Sequence, residues 1–403
     1  MAKTQVAVLD FGSSKISVLI AERGINNTFN IKGKGESDYH GFAKAEFFDT
    51  KDLKTAISMA VNNAMTNSGR KIKKLYIGVP AEFCFSEVKT ASQTYQSKKR
   101  INDNDIYNLF DMVDDYENTT QTHTVINRSP IYFSLDDGRK VIDPNGIVTT
   151  KLSSQVSFIL AKNSFINLID GILSELLITN THYTSSVLAE SLYLLEPEVR
   201  DRFALIVDSG HITTSVSLVR GDGILSLNAF SIGGGHITGD LSQLLELKFA
   251  EAEKLKRKVV LSLDASDNDF YETTVKGAVT PVSAKMVNEI VESRIDMIAS
   301  TINKILHSIN ANYPEYIPIY LTGGGLSYLK GAKDYLSKAM GKNIEIISPP
   351  VPQLNRPHYS SLLGVLDIAL TDEQNSGNNI FKKAMQNAFE IIKKIKNKFK
   401  RTK

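Results

Sequence analysis

One pattern occurs twice in this chain, and few folds accommodate it. Val6-Ala-Val-Leu-Asp10-Phe-Gly12-Ser13-Ser14-Lys15 leads an apolar run into a polar turn and leaves through the alternating residues to Ile20. Ala204-Leu-Ile-Val-Asp208-Ser-Gly210-His-Ile-Thr213-Thr214 repeats the arrangement and continues to Val219. Each copy reads as two β-strands joined by a tight turn. The glycine lets the backbone approach a ligand, and hydroxyls, amides and a lysine at the bend suit phosphate oxygens. An aspartate at the strand end is placed to hold a hydrated metal ion that bridges those oxygens. Two such hairpins in duplicated halves predict two similar lobes closing on one nucleotide from opposite sides. A third element fits them. Ile319-Tyr-Leu-Thr322-Gly323-Gly324-Gly325 is a strand ending in glycines, a turn on which a purine ring can lie flat.

Charge narrows the function classes once it is located. Between Ile380 and Lys403 nine bases face Glu390 alone, a charge of +8, so the rest of this +3 chain carries −5. A mildly acidic body argues against a broad nucleic-acid surface. With 403 residues, 42% hydrophobic and 23% charged, the chain is expected to bury a large core and to divide into lobes. Cys84 is its single cysteine, which excludes an internal disulfide and favours a reducing cytosol. The first residues run straight into a core strand, so no signal peptide is expected. No apolar run approaches the ~20 residues that span a bilayer.

Along the chain, a helical pattern from Asp49 to Ala64 precedes the strand Leu75–Val79, which stops at Pro80. The texture then turns polar and mainly β, around one short helix from Asp103 to Val113, before helical Asn163 to Leu177 resumes the main theme. That stretch reads as a small inserted domain. The expected division is 1–83 with 163–197 and 357–370 for the first lobe, 84–162 for the insert, 198–245 with 318–356 for the second lobe, and 246–317 for its outer subdomain. A polar, aperiodic linker at 371–379 is expected before a terminal helix at 380–403.

These motifs together resemble the FtsA family, actin-like ATPases that tie the tubulin-like ring of dividing bacteria to the membrane. The resemblance rests on Leu9-Asp-Phe-Gly-Ser-Ser-Lys15, on Phe133-Ser-Leu-Asp with Ile142-Asp-Pro-Asn-Gly146 in the insert, and on the second hairpin. It continues through Ile232-Gly-Gly-Gly235 with Thr238 and Asp240, Ala252-Glu253-Lys-Leu-Lys256, Leu321-Thr-Gly-Gly-Gly325 and Pro357-His-Tyr359-Ser-Ser-Leu-Leu-Gly364. It implies an α/β, actin-like (ribonuclease H-like) two-lobed ATPase fold with an inserted α+β domain and a C-terminal amphipathic helix. By the resemblance, Asp10, Gly12, Ser13, Ser14 and Lys15 form the first phosphate loop, and Asp208, Gly210, Thr213 and Thr214 the second. Asp10 and Asp208 would hold Mg²⁺ of ATP through water. Gly234, Gly235, Gly323, Gly324 and Gly325 would line the nucleotide, with Glu253 and Lys256 reaching the ribose and adenine edges. Without the family, Glu253 and Lys256 read rather as a solvated i,i+3 pair.

One departure bears on chemistry. The family's second loop usually reads Asp-x-Gly-Gly-Gly-Thr-Thr-Asp, whereas this chain has His211, Ile212 and Ser215 where two glycines and a carboxylate stand. A β-branched residue tolerates positive φ poorly, so nucleotide binding is expected to survive better than hydrolysis, leaving at most a weak ATPase. His211 either contacts phosphate or plays a structural role. Glu190 is the candidate base for water, with a helix-surface acid as the alternative reading.

Two partner surfaces are also expected. Phe381, Met385, Phe389, Ile392, Ile395 and Phe399 fall on one helical face flanked by lysines, the pattern of a helix lying in an anionic membrane interface. A helix packed on the body or on a partner is the alternative. The resemblance further implies self-association into filaments, other division proteins on the insert, and the acidic C-terminal peptide of FtsZ on the outer subdomain, where Arg294 matches a family arginine. The whole predicts an ATP-binding cell-division protein that polymerises on the cytoplasmic membrane at the septum and anchors the FtsZ ring. The alternatives are a small-molecule kinase of the same superfamily and a pilus-assembly or division paralogue with another partner.

Overall fold

The computed structural model describes residues 5–378 apart from 25–27, 115, 117–121, 276, 310–313 and 315. The duplication seen in the sequence is carried by two five-stranded sheets. The first half supplies β1 (Gln5–Phe11), β2 (Lys15–Arg23) and β3 (Phe29–Asp38), a small hairpin of β4 (Phe42–Ala43) and β5 (Glu46–Phe47), α1 (Thr50–Ser68) and β6 (Lys74–Val79). After an insertion come α3 (Asn163–Glu175), β11 (Asn180–Ser185) and α4 (Ser186–Leu194). The insertion contains β7 (Cys84–Arg100), α2 (Asp103–Asp111), β8 (His123–Leu135), β9 (Lys140–Val141) and β10 (Val148–Lys162). A short α5 (Pro197–Arg200) leads to β12 (Ala204–Ser209), β13 (Thr214–Arg220), β14 (Gly223–Phe230), α6 (Gly234–Leu244) and α7 (Phe249–Lys256). The chain closes with β15 (Phe270–Val275), β16 (Ala278–Ser283), α8 (Ala284–Ile309), β17 (Ile319–Thr322), α9 (Ala332–Met340), β18 (Ile344–Ile346) and α10 (Ser360–Asn378).

The two sheets share one topology. Their orders are β11-β6-β1-β2-β3 and β14-β13-β12-β17-β18, each with antiparallel hairpins on one side of a central strand and parallel strands on the other. The registers correspond as well: Asp10 lies opposite Ser17, and Asp208 opposite Ser215. Alternation explains the unbroken apolar run Val6–Leu9 of β1. Leu9 and Phe11 point into the core under α1 and α3, while Val6 and Val8 point into the core with α10, so both faces are covered. Asp49 starts α1 by accepting from the Lys51 and Asp52 amides, and Gly69 ends it in left-handed backbone.

The insert forms its own four-stranded sheet, β7-β10-β8-β9, with a core around Leu109, Phe133 and Leu152. The 246–317 region has no such independence. Leu255, Val287, Val291 and Ile295 join Leu205, Val207 and Val216 in the single core of the second lobe. A mixed core of Ile159, Val187, Leu188, Ile206 and Val219 ties the lobes and insert together.

One expectation is overturned. Residues 371–378 are the last turns of α10 rather than a linker. The first turn of this stretch is tied to the first sheet: Arg23 donates to the Thr371 hydroxyl (3.0 Å), and Lys74 with the Tyr76 hydroxyl reaches Glu373 (2.6 and 3.1 Å). The expected terminal helix, with Phe381, Met385, Phe389, Ile392, Ile395 and Phe399, lies outside the described residues. Among the described residues no helix is long and apolar enough to cross a membrane.

Candidate functional site

The two turns face each other across a cleft of ≈ 730 Å³ between the lobes. Each closes with the same backbone hydrogen bond, Gly12 N–H to Lys15 O (2.9 Å) and Gly210 N–H to Thr213 O (2.8 Å). Asp10, Gly12, Ser13, Ser14 and Lys15 line one side, and Asp208, Gly210, Thr213 and Thr214 the other. The strain expected at His211 and Ile212 is not there. Left-handed backbone at non-glycine residues falls elsewhere, at Lys44, Ala45, Leu177, Phe203, Glu246 and Gln353. The second turn closes without any positive φ, so glycine is not a geometric requirement at 211 or 212.

Three carboxylates meet at the base of this cleft. Asp10 is buried and accepts from the Ser186 hydroxyl (2.7 Å) and the Ser361 hydroxyl (2.5 Å). Burial pushes its carboxyl above the usual range against those hydrogen bonds. Asp208, enclosed in the cleft but still reached by solvent, is pushed up to about 7 by burial and then by the Asp10 charge. Glu190 is raised well above the usual range, by burial first and then by Asp208 and Asp10. It sits on α4 at 1% exposure, so the helix-surface reading is excluded, and its Oε1 has no hydrogen-bond partner. Crowded like charges and an orphaned carboxylate oxygen are the environment a divalent cation would relieve. Among the described residues no three His, Cys, Asp or Glu side chains converge closely enough to ligate one ion directly, so water would complete its shell.

Glycine backbone makes the far wall. Gly323 (φ 83°) has its α-carbon against the Asp208 carboxylate, where a Cβ would stand 2.1 Å from Oδ1. Gly325 donates its amide to Ser209 O (2.6 Å), and a Cβ there would stand 2.2 Å from Gly210 O. No larger residue lets β17 end so close to the second turn. Gly234 lines the cleft and donates to Gly210 O (2.9 Å). Gly235 is a correction. It does not line the cleft; its amide is committed to His211 O (2.6 Å) and its α-carbon lies under the His211 ring. His211 itself lines the cleft, near Phe249, with burial and then Lys256 lowering its pKa, so the imidazole is neutral.

Glu253 and Lys256 are not a solvated pair. The Lys256 ammonium is 7% exposed and donates to Glu253 (2.7 Å), Gly234 O (2.9 Å) and the Thr238 hydroxyl (2.9 Å). Burial pushes Glu253 up, but Lys256 and its hydrogen bonds more than offset this and hold the carboxyl below the usual range. Lys256→Ala should therefore destabilise the protein by about 1–3 kcal/mol in urea unfolding, because it removes the buried cation of the network and leaves Glu253 only Thr238 and the exposed Arg257. A loss under about 1 kcal/mol would show the network to be solvated after all.

Several cleft residues carried no local signal in the sequence. Ser186 and Ser361 hold Asp10, Glu82 stands at the rim, and Arg356 and His358 close the end beside Gly324. The Tyr328 hydroxyl lies 2.5 Å from His358 Nδ1, and burial lowers the His358 pKa. Only the Pro357–Gly364 motif marked this neighbourhood. Arg294 stands apart from the cleft, and both prongs of its guanidinium are already spent on Asp240 at 2.7 Å. A carboxylate from a partner would have to compete with Asp240 for this guanidinium.

With this geometry in hand, likeness to known proteins becomes interpretable. The family model for cell division protein FtsA matches residues 205–364. The FtsA of Enterococcus faecalis (strain ATCC 700802 / V583) is 25% identical over 384 residues, covering 91% of this chain and 84% of that protein. The FtsA of Bacillus subtilis (strain 168) is 20% identical, covering 95% and 88%. Among solved structures, a PilM-PilN type IV pilus biogenesis complex superposes with a TM-score of 0.61 at 15% identity, covering 91% of this chain and 99% of that one. MreB5 of Spiroplasma citri bound to AMPPNP gives 0.55 at 10% identity, covering 94% and 99%, and the MamK double helical filament 0.51 at 12%, covering 91% and 98%. At these identities the structures speak for fold alone, and they agree on an actin-like architecture. The family model matches residues 205–364, relatives of that name align along nearly the whole chain, and the paired sheets are those of an actin-like fold, so this chain is similar to the FtsA proteins and shares that fold.

Proposed function

We propose that this protein binds magnesium-ATP between its lobes, polymerises on the cytoplasmic face of the membrane at the septum, and anchors the FtsZ ring there through its C-terminal helix. The observation that carries the nucleotide reading is the convergence of both hairpin turns, the Gly323–Gly325 run and three charge-crowded carboxylates on one cleft. The turn amides and the hydroxyls of Ser13, Ser14 and Thr213, with Lys15, would hold phosphate oxygens, while the Thr214 hydroxyl is committed to Ile232 O (2.6 Å). Asp10 and Asp208 would hold the magnesium through water, and that ion would neutralise the charge that phosphoryl transfer develops. Glu190, beneath both aspartates, is the residue able to take a proton from water. Burial and the two neighbouring aspartates raise its pKa, which makes its carboxylate a stronger base than an exposed glutamate.

Slow turnover suits a polymer, in which the bound nucleotide holds two lobes in the shape that subunits recognise. MamK and MreB, which share the fold, are respectively solved as a filament and with AMPPNP bound. The FtsZ peptide would approach the outer face of α8, where it would meet Arg294 only by displacing Asp240. The membrane role rests on the sequence of 380–403, where each lysine near anionic lipid adds about 1 kcal/mol. One such helix is a weak anchor, and a row of them on a polymer is a strong one.

Electron microscopy of the full chain with ATP on an anionic lipid monolayer tests polymer and anchor together. Filaments lying on the lipid are expected, and removal of 380–403 should abolish sedimentation with anionic vesicles. Full sedimentation of the truncated chain would exclude the tail as the anchor.

A further inference from the structure

The β4–β5 hairpin has no part in the nucleotide reading, yet its tip holds two consecutive non-glycine residues in left-handed backbone, Lys44 (φ 51°) and Ala45 (φ 58°). L side chains take this conformation reluctantly, and it persists where the surroundings dictate it. Here they do, and they belong to both lobes. Lys44 N–H donates to Ser231 Oγ of the second lobe (3.2 Å), and Ala45 N–H donates to Glu82 Oε2 (3.0 Å). The Ser231 hydroxyl donates to Glu82 Oε1 (3.0 Å). Glu82 thus has one oxygen committed to each lobe, at the rim of the cleft.

A second bridge joins the tips of the two turns. Ile212 N–H donates to Ser13 Oγ (2.9 Å), and the Ile212 side chain lies outside the cleft, against Gly41. Gly41 (φ 87°) is the notch that receives it: a Cβ there would stand 2.7 Å from Ile212 Cδ1 and 2.1 Å from Ser13 O. The neighbouring Tyr39 hydroxyl donates to Gly12 O (2.9 Å), so one short loop, 39–47, touches both bridges. A glycine at 212 would leave the notch unfilled.

We propose that this loop, with Glu82 and Ile212, is an interlobe latch that sets how fast a nucleotide leaves the cleft. The inference rests on the nucleotide reading above. A ligand held between two lobes departs when they part, and both bridges span the line along which they part. Because one loop carries both, loosening either bridge loosens the other, which two independent contacts would not do.

Amide hydrogen exchange on the full chain reads that coupling directly, and release of a methylanthraniloyl-ATP probe reads its consequence. Glu82→Ala should speed exchange at the Ile212 amide as well as at Lys44 and Ala45, and Ile212→Ala should speed all three likewise, each by about fivefold or more. Both variants should release the probe about tenfold faster, whereas Ile212→Val, which keeps a branched side chain in the notch, should stay within about twofold of wild type. If Glu82→Ala affects Lys44 and Ala45 but leaves Ile212 unchanged, the bridges are independent and the latch is overturned. Unchanged release in both alanine variants overturns it as well. A wild-type chain that takes up no probe would instead sink the nucleotide reading, with the amide coupling alone then deciding whether the lobes are latched.

Discussion

Asp208→Asn should weaken magnesium-ATP binding by about 100-fold and, in the same protein, raise the melting temperature measured at pH 8 without added nucleotide. Both effects have one cause. Asp208 shares its cleft with Asp10 and Glu190, and burial together with the Asp10 charge pushes its carboxyl up to about 7. An unfolded aspartate titrates near 3.9, so between about pH 4 and pH 7 the folded chain keeps a proton that the unfolded chain has released. Stability contributed by this group is therefore greatest below that window and falls as pH rises through it. Above pH 7 the fold carries a confined negative charge that the amide removes. Since solvent still reaches Asp208, the gain is discounted to about 1–2 kcal/mol at pH 8; it should fall to about a third of that at pH 5 and approach zero only below about pH 4. Calorimetry at the two pH values and titration with magnesium-ATP check the two halves. A variant that melts lower at pH 8, or binds as tightly as wild type, would show that Asp208 does not face the shared charge.

Gly364→Val should destabilise the protein by about 3 kcal/mol or more, with Gly364→Ala intermediate. At this point α10 crosses α4 so closely that a Cβ on Gly364 would stand 2.5 Å from the carbonyl carbon and oxygen of Ala189 and 2.6 Å from the Glu190 amide. These are backbone atoms within a helix, which cannot rotate aside as a flexible side chain would. The helices must separate, opening the core formed by Leu362, Leu363, Val365 and Leu366 against β1. The same separation pulls Ser361 from Asp10 and shifts α4, which carries Glu190 and Ser186, so ligand affinity should fall along with stability. Denaturant unfolding measures the first and titration the second. Wild-type stability in Gly364→Val would mean that the two helices are not in backbone contact.

How much of this was legible beforehand follows from the range of the interactions involved. The two hairpins were plain because a strand, a turn and its returning strand are neighbours in the chain, and their alternation is written at period two around Asp10 and Asp208. The glycine turn at 323–325 was legible for the same reason. The end of α10 was not. Thr371 to Asn378 lacks apolar periodicity, but Arg23 and Lys74, some 300 residues away, pin its first turn, and no local pattern announces them. The partner of Arg294 was hidden likewise, 54 residues upstream at Asp240.

The sequence alone determined the duplicated αβ halves, the polar inserted sheet, the identity of the turn residues and the charge of the tail, since these depend on composition and on contacts within a few residues. Only the tertiary structure decided that Glu190 lies buried beneath both aspartates, that Glu253 and Lys256 form an enclosed network, that His211 and Ile212 close their turn without strain, and that Glu82 and Ile212 join the lobes. Each of these depends on which distant backbones come within a few ångströms, and that is set by packing of the whole chain rather than by any stretch of it.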